Sequence, residues 1–282
     1  VTMYSPDKKA TVYDQKFWWS DDWDSLSYGR EYDFSQPFFQ QFKELMINVP
    51  VPALYVLNAV NSEYGNFTTD NKNCYLVFGG DFNEDCAYST FNFHSKDSLD
   101  LYFSDHCELC YECVDSNNCY RVLFSRYAND CNNSAFLFNC LGVSNSLGCI
   151  NIRKKSYCIF NEQYTKEEYE KKVKELNLGN AQNLAAFKKE FEAFKLKFPY
   201  KYAQIIKSVG SSGDSLTSVK NAINCFDVTG PAENIKDIFL AGWGLKDSRG
   251  CNHLGHQSEL VHDSWGVFAN ASKILFSQFM GS

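Results

Sequence analysis

The sequence predicts a mainly β protein: a parallel β-solenoid (β-helix) with a stacked cysteine ladder, an N-terminal helical cap and an inserted α-helical hairpin. Short motifs that open with Asn or Asp and continue with Cys or Ser recur at regular spacing. A charged stretch with helical periodicity interrupts them. We therefore expect an aromatic cap with an amphipathic helix at 1–60, a Cys-rich solenoid block at 61–164, a helical hairpin at 165–200 and a second solenoid block at 201–280.

The cap region carries no repeat. Ser35 followed by Pro37 predicts a helix N-terminus, and Pro50 and Pro52 predict the end of that helix. A solenoid exposes unpaired backbone groups at its terminal coil, so we expect the helix to cover that end with its apolar side chains. The apolar stripe consists of Phe38, Phe39, Phe42, Leu45 and Met46.

The repeat begins near Asn61, and an aromatic residue follows each small residue after four or five positions. We expect Asn or Asp at tight corners, the small residue in the interior and the aromatic residue in a flat strand. Sulfur atoms on coils about 4.8 Å apart would then stack, and two steps would close a coil of about 18 to 24 residues. The small residues are Cys74, Cys86, Ser98, Cys110, Cys119, Cys131, Cys140, Cys149 and Cys158, with steps of nine or twelve residues.

A charged helical segment separates the two blocks. Thr165 and Glu168 predict a capping box, and a heptad-like seam of Leu and Phe ends at Pro199. Residues 151–207 hold thirteen Lys or Arg and seven Glu, a net charge of +6, which leaves −13 for the rest of a chain whose total is −7. Because phosphate binding draws on a concentrated basic surface, nucleic acid is not an expected partner.

The twelve cysteines and the absence of an export pattern predict free thiols and a cytoplasmic location. No apolar run reaches the roughly 18 to 20 residues needed to span a bilayer, so no membrane partner is expected. The sequence begins with Val1 rather than Met and ends in Gly281 and Ser282, from which we expect it to be a part of a longer protein.

Cys107, Cys110 and Cys113, followed by Cys119, have a spacing that is typical of zinc or iron–sulfur sites. An internal echo favours a different interpretation. The segment SELVHDS from Ser258 aligns with CELCYEC and places Ser, Val and Ser at the first three cysteine positions. We therefore predict that these cysteines fill a narrow interior, with metal binding as the alternative.

Cys251, His253 and His256, with His262 beyond them, form a second possible zinc site. Alternation of side chains along a strand argues against their convergence, so we expect no cofactor and keep zinc as the alternative.

No nucleotide, hydrolase or metalloprotease motif is present, and we do not expect an enzyme. Acids on neighbouring coils could serve a carbohydrate-active solenoid, although Asp is also the expected corner residue. The aromatic cap with Trp18, Trp19 and Trp23 could stack on sugar rings, or it could pack as a cap. The acids in question are Asp81, Glu84, Asp85, Asp97, Asp100 and Asp105.

Our functional hypothesis is a non-catalytic scaffold or binding module, which meets a protein partner or a second copy through the solenoid face or the helical hairpin. The first alternative is a zinc-binding protein that uses the Cys and His clusters. The second alternative is a carbohydrate-active or carbohydrate-binding β-helix.

Six segments carry a family resemblance: YSPDK from Tyr4, FWWSDDWDSLSYGREYDF from Phe17, QPFFQQFKELM from Gln36, NKNCY from Asn71, CELCYEC from Cys107 and CIFNEQYTKEEYEKKV from Cys158. Together they resemble an uncharacterised Cys- and Asn-rich repeat family of candidate-phyla-radiation bacteria, often labelled as CoA-transferases. Family members usually carry a zinc-ribbon-like segment before the YSPDK stretch, and this sequence begins after that point. The resemblance implies no activity and no catalytic residue.

Overall fold

The computed structural model describes residues 1–267 and 270–280. The chain divides into two compact units, Val1–Phe198 and Pro199–Ser282, and the protein is mainly β with a few helices. The predicted division into four segments stays a prediction beside these two units. Gly281 and Ser282, from which we expected a longer protein, lie outside the described residues.

The N-terminal region contains two short parallel strand pairs, β1–β2 and β3–β4, and three short helical elements. In chain order the elements are β1 (Val12–Tyr13), α1 (Gln15–Trp18), a 3-10 helix (Ser25–Tyr28), α2 (Phe38–Asn48), β2 (Val51–Pro52), β3 (Val56–Leu57) and β4 (Thr68–Thr69).

Helix α2 is present as predicted, but its N-cap and its buried side differ from the prediction. Its N-cap is Pro37, whereas Ser35 hydrogen-bonds to Asp33. Its one buried residue is the polar Gln41, whose amide holds the preceding loop through both main-chain groups of Asp33. The apolar stripe is therefore only partly covered, because Phe42 and Leu45 are half-buried while Phe38, Phe39 and Met46 are exposed.

Nine strands form the first sheet, in sequential order from β5 to β13. All neighbours pair in parallel except β12 and β13, which are antiparallel. The strands are β5 (Tyr75–Phe78), β6 (Ala87–Phe93), β7 (Leu99–Asp105), β8 (Tyr111–Val114), β9 (Tyr120–Asn129), β10 (Asn132–Leu141), β11 (Leu147–Ile150), β12 (Cys158–Ile159) and β13 (Glu162–Gln163).

The register of this sheet is twelve residues per strand, as in Tyr75 opposite Ala87 and Ala87 opposite Leu99. The expected coil of 18 to 24 residues, made of two steps, is therefore wrong, because consecutive strands align after one step of twelve residues.

A left-handed residue recurs at every third position, as at Asn73, Leu76, Gly79, Phe82 and Asp85, and each of them is followed by an inward-facing residue. This three-residue period explains why the cysteines are spaced by multiples of three. Corners are not restricted to Asn and Asp, even though left-handed backbone costs roughly 1 to 2 kcal/mol for other residues. Four of the aromatic residues expected in strands do lie in strands, but their left-handed backbone turns the chain there, so these strands are not flat. They are Phe91, Phe103, Phe124 and Phe136.

Two helices follow the first sheet: α3 (Lys166–Leu176) and α4 (Ala181–Lys195). The predicted capping box of Thr165 and Glu168 is confirmed, with both reciprocal hydrogen bonds present. The α4 residues Phe187 and Phe191 are buried against the strand residues of β10–β12. No described helix combines the length and the apolar character needed to cross a membrane.

The second unit contains a parallel sheet built on the same principle. Its register is eleven residues between the first two strands, as in Ile205 opposite Leu216. It is twelve at the start of the next pairing and becomes thirteen after an irregularity between Thr217 and Val219. Its strands are β14 (Ile205–Ile206), β15 (Gly213–Ile223), β16 (Cys225–Ala241), β17 (Leu245–Lys246), β18 (Arg249–Leu254), β19 (Glu259–His262), β20 (Trp265–Val267), β21 (Ser272–Leu275) and β22 (Gln278–Met280).

Candidate functional site

One side of the first sheet carries a continuous line of outward side chains, which we call the aromatic face. Its strand positions are Tyr75, Ala87, Leu99, Tyr111, Leu123, Ala135, Leu147 and Ile159, each paired with the next. Its corner positions, all left-handed, are Tyr64, Leu76, Tyr88, Asp100, Glu112, Phe124, Phe136, Gly148 and Phe160. The register of twelve therefore brings side chains from successive strands into one row.

The helical hairpin covers one part of this face. Phe187 of α4 lies 5.0 Å from Phe136 and 5.0 Å from Phe160 between ring centroids, and Phe194 lies 5.0 Å from Phe160. Phe187 is 3% exposed and Phe191 is 4% exposed. Burial of a Phe side chain stabilises by about 1.5 to 3 kcal/mol, so these rings fix α4 to the sheet.

An ion pair marks the edge of the covered part. The Nζ of Lys188 on α4 lies 3.0 Å from Oε2 of Glu112 and 5.4 Å from the ring centroid of Phe124. Among the contacts described, no residue of the face that precedes Glu112 in the sequence has a partner from the hairpin.

The remaining part of the aromatic face is exposed. Tyr75 lies 5.6 Å from both Tyr64 and Tyr88, in edge-to-face contact. Tyr64, Tyr75, Tyr88 and Leu99 keep 48%, 42%, 56% and 43% of their surface in solvent. Glu63 pairs with Tyr75 and extends the row of strand positions by one residue. Among the face positions of this open part, Glu63, Asp100 and Glu112 are acidic and none is Lys or Arg. The open part is therefore apolar, aromatic and acidic.

The inward positions hold the cysteines. All twelve are buried and free. Cys107, Cys110 and Cys113 are at most 2% exposed, and so are Cys119 and the echoing Val261. Ser258 and Ser264 are buried as well, which confirms that the echo aligns interior positions. The expected single ladder is mixed, because one inward line runs through Cys74, Cys86, Ser98, Cys110, Val122, Ser134, Ser146 and Cys158.

The thiols of Cys140 and Cys149 lie against backbone carbonyls and are poor nucleophiles. The Sγ of Cys140 donates to the carbonyl of Cys149 at 3.4 Å. Burial raises the pKa of Cys140 to about 11 and that of Cys149 to about 12. Because the thiolate is the reactive and metal-binding form, the raised pKa values favour packing over chemistry for these two residues.

Cys251, His253 and His256 are not gathered into one ligand group among the described residues. The thiol of Cys251 donates to the carbonyls of Arg249 and Val261, and burial lowers the pKa of His253. The Nδ1 of His256 accepts the main-chain N–H of Trp243 at 3.2 Å, and its ring stacks on that indole.

Three of the six candidate acids, Asp81, Glu84 and Asp85, have partners on neighbouring strands or corners. Glu84 lies 2.7 Å from Lys72 and 3.6 Å from Lys96, and Asp85 accepts the side-chain amide of Asn73. Burial raises the pKa of Asp81, which accepts the N–H of Thr69 at 2.8 Å. These bonds link neighbouring strands and favour a structural role for the acids.

The aromatic cap packs on itself. The Nε1 of Trp18 donates to the carbonyl of Pro50, and that of Trp23 donates to the carbonyl of Trp18. Tyr13 meets Phe17 and Trp23 edge-on at 4.9 and 5.4 Å. This packing favours a cap over an open sugar-stacking platform.

Sequence reasoning missed a cluster of His94, Asp105 and His106, whose ligand atoms lie within 4.8 Å of one another. The signal was the twelve-residue separation of the two histidines, which equals the register of the sheet. It becomes visible only once that register is known.

Comparison of the sequence with protein-family models and with curated proteins gives no match.

Proposed function

We propose that the protein is a non-catalytic binding scaffold, whose aromatic face takes a basic amphipathic helix from a partner protein. The observation that carries this proposal is the division of one face into a part covered by α4 and a part that is exposed. The covered part provides an example of the occupant, since the face already binds a helix with a Phe stripe.

We further propose that the parallel strands wind as a solenoid with one coil per twelve residues. Parallel neighbours normally require a crossover of a dozen or more residues, usually a helix. Between Phe78 at the end of β5 and Ala87 at the start of β6 the chain has eight residues and no helix. Corners at every third residue provide the return path. A solenoid of this kind presents each face as a long, regular docking surface.

The charge of the partner follows from the acids beside the open part. Lys188 on Glu112 shows how a cation meets the edge of this face. Exposed ion pairs contribute at most about 1 kcal/mol, so aromatic packing supplies most of the affinity and charge supplies orientation. Glu63 and Asp100 are exposed and favour Lys or Arg at the margin of the bound helix.

The experiment uses α4 itself as the probe. A labelled peptide with the sequence of residues 180–198 is titrated with the full chain, and fluorescence anisotropy reports binding. We expect saturable binding, and we expect a loss of about tenfold in affinity for Tyr75→Thr combined with Tyr88→Asn, since hot-spot truncations cost more than 1 kcal/mol. Asn suits the left-handed backbone of Tyr88.

The matched control is Tyr120→Thr. Tyr120 begins β9 as Tyr75 begins β5, and the two are 43% and 42% exposed, but Tyr120 lies outside the aromatic face. Equal affinity of the Tyr75/Tyr88 variant and the control would contradict the proposal. If the unchanged protein forms a concentration-dependent dimer and the Tyr75/Tyr88 variant does not, the occupant of the face is a second copy of the chain and not a partner protein.

Location and family are part of the same proposal. Free thiols are typical of reducing compartments, which supports the cytoplasm. Membership of the Cys- and Asn-rich bacterial family rests on the sequence resemblance alone, and that resemblance implies no reaction.

A further inference from the structure

Three side chains at the neighbouring C-terminal ends of β6 and β7 bring their ligand atoms together. Asp105 is the last residue of β7 and pairs with Phe93, the last residue of β6. His94 and His106 follow these two residues, both at left-handed corners. The Oδ1 of Asp105 lies 3.4 Å from Nδ1 of His94 and 2.8 Å from Nδ1 of His106. No other group of three or more such ligand atoms is as close together in the described part of the chain.

The distances suit one bound cation. Metal–nitrogen and metal–oxygen bonds of about 2.0 to 2.2 Å place the ligand atoms of one ion roughly 3 to 3.5 Å apart. The Oδ1 of Asp105 is inaccessible to solvent, although the side chain as a whole is 47% exposed. It accepts no hydrogen bond of suitable geometry from a described residue, even though Nδ1 of His106 lies 2.8 Å away. Buried carboxylate oxygens normally have a partner, and a cation held jointly with the two imidazoles would supply it.

The imidazoles must reorient to bind. They stack at 4.8 Å between ring centroids with 13° between their planes, and His94 also stacks on Phe82. An imidazole ligates in its own ring plane, so at least one ring has to rotate about its Cβ–Cγ bond. The His94 and His106 side chains are 50% and 58% exposed, which leaves room for this rotation.

We propose that His94, Asp105 and His106 form a binding site for a divalent transition-metal ion. Two imidazoles and one carboxylate are a ligand set that suits borderline ions such as Zn²⁺ and Co²⁺. Three protein ligands leave the remaining coordination positions to water or to a group from a partner. This site lies outside the aromatic face and does not depend on its proposed function.

The test measures binding of Zn²⁺ to the full chain by calorimetry and of Co²⁺ by visible absorption. We expect one ion per chain, and we expect His94→Asn and His106→Asn each to weaken binding by about tenfold or more. Asn tolerates the left-handed corner, and it already occupies the next corner of this line as Asn118. The control His256→Asn is expected to bind as the unchanged protein does, because His256 is exposed and lies outside the cluster.

Three results would overturn the proposal: no Zn²⁺ binding, unchanged affinity in both His variants, or Co²⁺ absorption with the intense charge-transfer bands of thiolate ligands. Circular dichroism checks the fold of each variant. Should a variant not fold, NMR of the unchanged protein decides. Ring protons of His94 and His106 that shift with Zn²⁺, while those of His256 stay in place, support the site, and any other pattern contradicts it.

Discussion

The two nine-stranded sheets differ in what fills their interiors. The first sheet has an interior of thiols, hydroxyls and buried amides, including Asn71, Asn83 and Asn92 at no more than 1% exposure. The interior of the second sheet is mainly aliphatic, with Leu216, Val219, Val228, Ile235, Ile238, Leu245 and Val261 among its buried residues.

A local bond explains why the polar interior is stable. The side chains of Ser98 and Cys110 donate to the carbonyl two residues earlier, at 2.7 and 3.4 Å. In the second sheet Ser248 and Cys251 make the same contact at 2.9 and 3.0 Å. The three-residue period supplies this acceptor at each inward position. Cysteine and serine are therefore interchangeable there, and the backbone accepts either interior.

The largest expected difference between the sheets is their response to alkaline pH. Burial raises the pKa of Cys140 to about 11 and of Cys149 to about 12, above the ordinary value of 9.0. The stability that these protonated thiols contribute is complete below pH 9.0 and is lost as the pH rises through their folded pKa values. We expect the free energy of unfolding, measured by urea titration, to fall by several kcal/mol between pH 8 and about pH 12.

The control for this prediction replaces the thiols. Cys140→Ser combined with Cys149→Ser should flatten the pH dependence, because serine does not ionise in this range. The double variant Cys225→Ser and Cys251→Ser in the second sheet should keep most of the pH dependence of the unfolding free energy. An unchanged slope in the first variant would mean that other groups cause the alkaline loss.

The next effect concerns the size of the interior side chains. Ile238→Ala removes three carbons from a site with 1% exposure and should cost about 3 kcal/mol of unfolding free energy. Cys113→Ala removes only the sulfur from a site with 0% exposure and should cost about 1 kcal/mol. Urea unfolding measures both, and equal costs would contradict the contrast between an aliphatic and a thiol interior.

The smallest effect is expected at the surface, where the two sheets are alike. Lys72 lies 2.7 Å from Glu84 in the first sheet, and Lys220 lies 2.6 Å from Glu233 in the second. Lys72→Gln and Lys220→Gln should each change the unfolding free energy by less than about 1 kcal/mol, since exposed ion pairs contribute little. A larger loss in one sheet alone would mean that surface pairing also distinguishes them.

Local patterns in the sequence predicted several elements. The mainly β class, the capping box at Thr165 and the interior position of Cys107, Cys110 and Cys113 followed from residue chemistry and spacing. The register of twelve residues between neighbouring strands could not be predicted in this way. Cysteines occupy several inward lines together with Ser, Val, Leu, Ala and Asn, so counting from one cysteine to the next mixes different lines.

Other features depend on tertiary context. Tyr88, Phe91 and Phe124 adopt left-handed backbone against their intrinsic preference, because the strand pairing on both sides fixes the chain there. The apolar stripe of α2 predicted that the helix covers the end of the sheet. Instead, Gln41 donates hydrogen bonds to the preceding loop, so the buried side of the helix faces that loop. Likewise, His94 and His106 become neighbours only through the register.

The twin periods of three and twelve constrain how such a chain can change its length during evolution. In the first sheet, loss of one residue would turn the inward side chains that follow it outward unless a local irregularity compensates, as the one-residue shift between Thr217 and Val219 does in the second sheet. Loss of three residues would keep the thiols inside, but it would shift the outward side chains of one strand relative to the next. A deletion of this kind between His94 and His106 would separate these two side chains. In the first sheet, only the gain or loss of twelve residues leaves both the interior and the rows intact, so we expect natural variants to differ there by multiples of twelve residues.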